Sequence, residues 1–155
     1  MKNFQDYELV DNLVWWYEGH DNGAKFIRFF LHRAYWIGTT ELDNFITDSN
    51  IVSGIFKGTW KKVVWDKGVD AIYIDQENKE VHLLNFKYIN SFSKTWNNFD
   101  WWELSKIKEV VTQIFEKNKV LKTTTNPNFV SLLEEIWNLK QNSIYKFKII
   151  FVTNW

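Results

Sequence analysis

The chain has 155 residues and a mass of 18.8 kDa, the usual size of one domain and enough to bury a hydrophobic core. Nineteen acidic residues balance nineteen lysines and arginines, so it lacks the strong overall positive charge typical of many nucleic-acid-binding proteins. The absence of cysteine excludes disulfide bonds and thiolate zinc sites. With no apolar run long enough to cross a membrane and no signal-peptide pattern, we expect an intracellular, cytoplasmic protein.

Two helices are predicted near the N-terminus. Apolar residues at helical intervals predict the first over residues 4–18. Its inward stripe is expected to contain Leu9, Leu13, Trp16 and Tyr17. The second helix is predicted from Ala24 to Ile37.

A basic and aromatic segment follows over residues 51–65. Val63 and Val64, flanked by tryptophans, predict a strand within it. Four lysines lie in or just after the segment: Lys57, Lys61, Lys62 and Lys67. Lysines with tryptophans are typical of surfaces that contact a phosphate backbone and stack on bases. They are equally typical of an edge hairpin protected against aggregation, and both interpretations remain open.

The centre of the chain predicts a β-hairpin. Residues 68–75 and 79–88 alternate in the manner of strands and are joined by a short polar turn. On the first strand, Asp70, Ile72 and Ile74 are expected to share a face. The corresponding face of the second strand is expected to contain Val81, Leu83, Asn85 and Lys87.

Polar residues are predicted to meet at one end of this hairpin. Ending an apolar face in Asn85 and Lys87 costs desolvation unless both side chains are used. If the strands are neighbours, Asp70 lies near them. We expect Asp70, the side-chain oxygen of Asn85 and the Phe86 carbonyl to bind a hard divalent cation, which prefers oxygen ligands. Lys87 is predicted to orient water or to stabilise charge on a phosphate, as metal-assisted phosphodiester cleavage requires.

These residues resemble a known family. Asp70 and Asn85-Phe86-Lys87 are similar to the Asp…(Glu/Asp/Gln)-x-Lys signature of the PD-(D/E)xK nuclease superfamily. More narrowly, residues 68–75, 84–88 and 91–95 resemble the N-terminal nuclease domain of abortive-infection phage-resistance proteins. The chain departs from the signature at Asn85, a neutral and shorter side chain that removes one charge from the metal site.

The resemblance implies a metal-dependent endonuclease that acts on DNA or RNA in phage defence, with Mg²⁺ or Mn²⁺ as its cofactor. It also implies an additional acidic residue near the metal, for which Glu18 and Asp48 are the candidates. The implied fold is a restriction-endonuclease-like α/β/α sandwich around a mixed central sheet. The order of the predicted elements agrees with such a fold. Lys94, just after the hairpin, is a further candidate nucleic-acid contact.

Three more elements complete the prediction. A helix is expected from Asp100, as its N-cap, to Phe115, with an inward face of Leu104, Ile107, Val111 and Ile114. Another begins with Asn126 as N-cap, followed by the only proline of the chain. A strand that becomes buried is expected over residues 145–153.

The sequence leaves three hypotheses for function. The first is the metal-dependent endonuclease. The second is a catalytically weakened or inactive module of the same fold that binds nucleic acid or a protein partner. In the third, Asp70 caps the hairpin or pairs with Lys87 and has only a structural role. Residues 1–155 are interpreted as a single domain from the N-terminal part of a longer protein, with further domains or a second copy of the chain among its expected partners.

Overall fold

The computed structural model describes residues 4–55, 68–94, 101–116 and 126–154. In chain order, the helices and strands of these ranges are α1 (Phe4–Trp15), α2 (Asn22–Tyr35), α3 (Ser49–Ile55), β1 (Ala71–Asp75), β2 (Glu80–Lys87), α4 (Trp101–Phe115), α5 (Pro127–Asn142) and β3 (Lys146–Thr153). Short 3₁₀ turns span Leu42–Asn44 and Phe92–Lys94. Of the helices in these ranges, none is long and apolar enough to cross a membrane.

The three strands form one mixed sheet in the order β1-β2-β3. β1 and β2 are antiparallel, with Ala71 opposite Leu84 and Asp75 opposite Glu80. β3 lies parallel to β2 on its other side, with Lys146 opposite Glu80. The prediction of an α/β protein with a mixed sheet is therefore confirmed.

Helices pack against both faces of this sheet. On one face, Ile72 and Leu83 are fully buried in a cluster with residues of α4 and α5. On the other face, Ala71 and Leu84 are fully buried in a cluster with residues of α1, α2 and α3. This division follows from the strands themselves, because successive residues of a strand point to opposite faces.

The start of α5 links two distant parts of the chain. The fully buried Asn126 is its N-cap, and its Oδ1 accepts a hydrogen bond of 3.0 Å from the Phe129 amide. The Nδ2 of the same side chain donates to the Thr47 carbonyl at 2.7 Å. The predicted cap is confirmed, and it also holds the segment before α3 against α5.

The inward face of α1 differs from the prediction. Three of its predicted inward residues are exposed: Leu9, Leu13 and Trp16. Tyr17 is partly buried, while Tyr7 and Val14 are only 8% and 1% exposed. The Tyr7 hydroxyl donates to the Ile89 carbonyl at 2.9 Å. The predicted stripe was wrong because it followed the most apolar side chains, whereas the packed face includes a tyrosine with a polar partner.

Several predictions fall outside the described residues. These are the strand around Val63 and Val64, the N-cap Asp100, and the lysines Lys57, Lys61, Lys62 and Lys67. The described part of the basic segment belongs to α3, which is helical over Ser49–Ile55.

Candidate functional site

Asp70 lies at a β-bulge just before β1. Ala71 is the register partner of Leu84, yet the Asp70 amide donates to the Leu84 carbonyl at 2.8 Å. Two consecutive residues of one strand therefore face one residue of the other, which is the pattern of a bulge. A bulge redirects the side chain beside it, so Asp70 does not continue the face of Ile72 and Ile74 as the simple alternation predicts.

The side chain of Asp70 accepts a hydrogen bond from the backbone of β2, where a backbone carbonyl of a neighbouring strand would otherwise do so. Its Oδ2 accepts a hydrogen bond of 2.6 Å from the Phe86 amide. Its backbone carbonyl accepts from the amides of Thr47 and Asp48 at 2.8 and 3.0 Å. Because the N–H and C=O of one residue point to the same neighbour in an antiparallel ladder, the Phe86 carbonyl faces the Asp70 side too. By this argument, the predicted carbonyl ligand is on the same edge of β2 as the carboxylate.

Asp70 and Phe86 line a small cleft between the end of the hairpin and the start of α2, which we call the Asp70 cleft. Asp48, His20 and Asp21 are also in its walls. Its volume is about 140 Å³. That is room for a few water molecules, each of which occupies about 30 Å³ in the liquid. The cleft therefore suits a hydrated ion with a phosphate oxygen rather than a whole organic ligand, whose pockets start near roughly 300 Å³.

Asp48 provides the second carboxylate of the Asp70 cleft. Its Oδ1 accepts hydrogen bonds from the amides of Asn50 and Ile51 at 2.9 and 3.0 Å, at the start of α3. Both amides belong to a helix start, where negative charge is favoured. Since the Asp48 backbone amide also donates to the Asp70 carbonyl, the two acidic residues are held in a fixed relation.

Glu18, the other candidate acid, lies elsewhere. It is exposed, and its backbone carbonyl accepts from Arg28 Nη1 at 3.1 Å. It lines a separate cleft between α1 and α2, together with Trp16 and Arg33. Of the two acids proposed from the sequence, the structure brings Asp48 to Asp70 and keeps Glu18 apart.

Asn85 lies on the α4 side of β2 and is only 6% exposed. Its Nδ2 donates to the Gly68 carbonyl at 2.8 Å. Because a carbonyl can only accept, this bond fixes the orientation of the amide and turns Oδ1 away from Gly68. That Oδ1 is buried and has no hydrogen-bond partner among the described residues. Asn85 is not among the residues that line the Asp70 cleft.

Lys87 is the last residue of β2, half-buried and opposite Thr153. Strand alternation places it on the same side as Asn85, whereas Phe86 and Tyr88 line the Asp70 cleft. The structure therefore joins Asp70 to Phe86 and places Asn85 and Lys87 on the opposite side of the same strand end.

The predicted nucleic-acid contacts are placed only in part. Lys94 lies in the 3₁₀ turn after β2 and is exposed to solvent. The remaining lysines of the predicted set belong to residues that the structure does not describe. A basic surface beside the site therefore stays a prediction.

Tyr88, in the wall of the Asp70 cleft, donates its hydroxyl to the carboxylate of Asp11. Burial raises the pKa of Tyr88, and the Asp11 carboxylate adds to the increase. The phenol is therefore protonated at neutral pH and serves as a hydrogen-bond donor rather than as a base.

A separate polar cluster lies at the opposite end of β2. Glu80 Oε2 accepts from His82 Nε2 at 3.0 Å and from Lys148 Nζ at 2.5 Å. When the His82 ring is neutral and Nε2 is the donor to Glu80, Nδ1 accepts a hydrogen bond of 3.0 Å from the Tyr35 hydroxyl. Burial raises the pKa of Tyr35 to about 12, and Tyr73 contributes. Hydrogen bonds from Lys148 and His82 lower the pKa of Glu80. These contacts tie α2 and β3 to β2.

The donor atoms of the Asp70 cleft limit the metals it can take. In the described part of the chain, no three His, Cys, Asp or Glu side chains are grouped to hold a metal ion. Asp70, Asp48 and the Phe86 backbone offer oxygen donors, whereas the third carboxylate in the walls, Asp21, caps α2 and contacts His20. Mg²⁺ and Mn²⁺ accept such a set when water and substrate phosphate complete it, whereas zinc usually takes nitrogen or sulfur donors.

Sequence reasoning did not assign His20 or Asp21 to the site. Asp21 is the N-cap of α2, with its Oδ1 accepting from the Ala24 amide at 2.8 Å. Its Oδ2 lies 3.1 Å from His20 Nε2. An aspartate placed before a helical pattern indicates a cap, but nothing local shows that the cap faces β2 across the cleft.

No protein-family model, no curated protein and no solved structure matches this chain. The likeness of Asp70 and Asn85-Phe86-Lys87 to a nuclease signature therefore stays a prediction from the sequence.

Proposed function

We propose that this protein is a metal-dependent endonuclease domain that hydrolyses phosphodiester bonds of nucleic acid, in defence against phage. The observation that carries the proposal is the pairing of Asp70 with Phe86 across the end of the hairpin, with a bond of 2.6 Å. It holds the Asp70 carboxylate against the Phe86 backbone in a cleft that both residues line together with a second carboxylate, Asp48.

These groups fit Mg²⁺ or Mn²⁺. Asp70, Asp48 and the Phe86 carbonyl would hold the cation, and the small size of the cleft leaves the remaining positions to water and to the substrate. A bound cation supplies Lewis-acid polarisation of the phosphate and lowers the pKa of bound water. Asn85 is left out of this ligand set because its amide faces Gly68 on the other side of β2.

The protein's own groups position the substrate. Lys87 leaves β2 at the same strand end as Phe86 but on the α4 side, so it is not part of the cleft wall, and we propose that it reaches the substrate phosphate around the strand end. A lysine there acts as a point charge that stabilises the negative charge of the transition state. Lys94 and the lysines of the basic segment are proposed to contact the backbone of DNA or RNA.

The proposed fold is the restriction-endonuclease-like α/β/α sandwich. Three observations support it: β1 and β2 form an antiparallel hairpin, β3 lies parallel to β2, and helices pack against both faces of the sheet. The proposed place of action is the cytoplasm, where phage nucleic acid is exposed to such an enzyme.

Cleavage assays test the proposal. Supercoiled plasmid, linear duplex DNA, single-stranded DNA and RNA are incubated with the protein and Mg²⁺ or Mn²⁺, with EDTA as the blank. We expect metal-dependent cleavage of at least one substrate, reduced by about a hundredfold or more in Asp70→Asn and in Lys87→Met, since each removes a group that acts on the transition state. Asp6→Asn, an exposed carboxylate of α1, is the matched control. Equal cleavage by Asp70→Asn, or no cleavage of any substrate with either metal, would overturn the proposal.

A second candidate function is a module that binds nucleic acid or a protein without cutting. It is favoured by the neutral Asn85, whose buried amide bonds the backbone of Gly68 instead of presenting a charge. Such a module binds nucleic acid with an affinity that falls as salt is raised, with or without metal. Fluorescence anisotropy with labelled oligonucleotides at several salt concentrations, alongside the cleavage assay, separates the two functions.

A further inference from the structure

Two buried oxygen atoms in the described residues have no hydrogen-bond partner: Asn85 Oδ1 and Glu103 Oε2. Both are acceptors, one from an amide and one from a carboxylate. Buried polar atoms almost always have a partner, and one that lacks a partner within the protein commonly has a water molecule or an ion. Each of these atoms therefore indicates a partner with positive charge or with hydrogens to donate.

The start of α4 lies beside the Asn85 end of β2. A methyl group added at Gly68 would lie 3.7 Å from Asn85 Nδ2 and 3.9 Å from both Lys106 and Ile107. Glu103 precedes Ile107 by one helical turn, and residues four apart share a helix face. Glu103 is thus on the face of α4 that meets the sheet, one turn nearer to the start of the helix.

The direction of α4 confirms this placement. At the other end of the helix, the rings of Phe115 and Phe147 are 5.0 Å apart between centroids. Phe147 is the register partner of Val81, near the beginning of β2. α4 therefore runs antiparallel to β2, so the start of α4 and the end of β2 lie at the same edge.

The buried faces of both elements change from apolar to polar at this edge. On β2, the fully buried Leu83 is followed on the same face by Asn85. On α4, the fully buried Ile107 is preceded on the same face by Glu103. A core that needed only packing would continue with apolar residues at both positions.

We propose that Asn85 Oδ1 and Glu103 Oε2 are two ligands of a hard divalent cation bound between β2 and α4. An amide oxygen and a carboxylate are typical ligands of Mg²⁺, Mn²⁺ and Ca²⁺. A cation is favoured over a single water because positive charge stabilises the buried oxygen of a carboxylate. The site lies on the opposite face of β2 from the Asp70 cleft, and its binding does not depend on whether that cleft cleaves nucleic acid.

Two lysines lie on the elements that meet at this edge. Lys106 directs its ammonium over the Trp102 ring, 5.8 Å from the centroid. Lys87 lies on the same side of β2 as Asn85, so an ion pair between Lys87 and Glu103 is the main competing explanation for the carboxylate. The test must separate that pair from a cation site.

Titration of Mn²⁺ into the protein by calorimetry provides the test. All variants are made in an Asp70→Asn background, so that cation binding in the Asp70 cleft does not contribute. We expect the background protein to bind Mn²⁺, Glu103→Gln to weaken that binding by about tenfold or more, and Asn85→Asp to tighten it by a similar factor, because affinity in such sites follows the number of charged ligands. Glu134→Gln, which removes an exposed carboxylate from α5, should leave it unchanged.

Thermal unfolding provides the second readout. Without metal, Asn85→Asp places a second carboxylate beside Glu103 and should lower the melting temperature, and Mn²⁺ should restore it. Absence of Mn²⁺ binding in the background protein would overturn the proposal. A Glu103→Gln variant with lower stability and unchanged Mn²⁺ affinity would also overturn the proposal. That result would indicate that Glu103 forms an ion pair with Lys87 instead of binding a cation. Asn85→Asp also removes the donor to the Gly68 carbonyl, so if this variant does not fold even with Mn²⁺, the Glu103→Gln titration alone decides between the cation and the ion pair.

Discussion

The carboxylate of Asp70 accepts a 2.6 Å hydrogen bond from the backbone amide of Phe86, at the point where the ladder between β1 and β2 ends. The bond replaces a backbone contact that the bulge removes. It also fixes the carboxylate beside the Phe86 carbonyl, and such fixed geometry is what a cation site requires. Asp70 therefore has a structural contact and a proposed functional role in one side chain.

The two roles of Asp70 can be separated by substitution. Asp70→Asn keeps an oxygen acceptor for the Phe86 amide, so we expect its free energy of unfolding to stay within about 0.5 kcal/mol of the wild type. Asp70→Ala removes the acceptor and should lower the free energy of unfolding by roughly 1–3 kcal/mol. Chemical denaturation measures both values. Equal destabilisation by the two variants would show that the charge, not the acceptor, stabilises the strand end.

Asn126 is expected to be one of the most sensitive polar residues. Asn126→Ala removes the cap of α5, worth about 1 kcal/mol. It also leaves the Thr47 carbonyl without its donor, which should lower the free energy of unfolding by about 1–3 kcal/mol more. Asn126→Asp keeps an acceptor for the Phe129 amide but cannot donate to Thr47, so its loss should be intermediate. Urea unfolding of the wild type and the two variants gives their order of stability. An Asn126→Ala variant as stable as the wild type would refute the stabilising role of Asn126.

Local patterns in the sequence predict much of this fold. The hairpin follows from alternation with a period of two, and the cap of α5 follows from Asn126 before a proline. The position of the Asp70 carboxylate could not be predicted in this way. It depends on the bulge and on the bonds from Thr47 and Asp48 to the Asp70 carbonyl, which join segments far apart in the chain.

The rotation of the helices about their axes is also poorly determined by sequence. In α4, the pattern predicts an inward face of Leu104, Ile107, Val111 and Ile114. The structure fully buries Ile107, Val110 and Ile114, and it leaves Leu104 and Val111 only partly buried. A small rotation separates the two faces, and it brings Glu103 toward the sheet. Because apolar residues are frequent on α4, hydrophobicity alone does not determine which of the two faces packs inward.

Alkaline pH should destabilise the protein through Tyr35. Its pKa is about 12 in the folded state, against roughly 10 in the unfolded chain. Because its pKa is raised, the neutral Tyr35 phenol stabilises the folded state. This contribution to the free energy of unfolding is fully present below about pH 10 and is lost as the pH rises through about 12. We expect the free energy of unfolding to fall over this range, and to fall less steeply in Tyr35→Phe.

Denaturation at a series of pH values between 8 and about 12 measures this slope. Tyr17→Phe is the control for the loss of a tyrosine–histidine hydrogen bond, because the Tyr17 hydroxyl lies 3.1 Å from His32 Nδ1. Identical slopes in the wild type and Tyr35→Phe would contradict the role of Tyr35.

Gly68 should be required for its backbone conformation rather than for space. Its φ is +77°, and a methyl group there would meet no atom closer than 3.7 Å. Gly68→Ala should therefore lower the free energy of unfolding by about 1–2 kcal/mol through backbone strain. Gly38→Ala is the matched control, because it has similar space without a left-handed φ. Equal effects of the two substitutions in chemical denaturation would show that conformation at Gly68 is not the cause.

Calorimetric titration of Mn²⁺ into the wild type and Asp70→Asn tests the central claim most directly. The wild type is expected to bind two cations, one in the Asp70 cleft and one between Asn85 and Glu103. Asp70→Asn keeps the hydrogen-bond acceptor but loses the charge, so it should lose the first site and keep the second. An unchanged number of sites with unchanged affinity in Asp70→Asn would contradict the assignment of a cation to the Asp70 cleft.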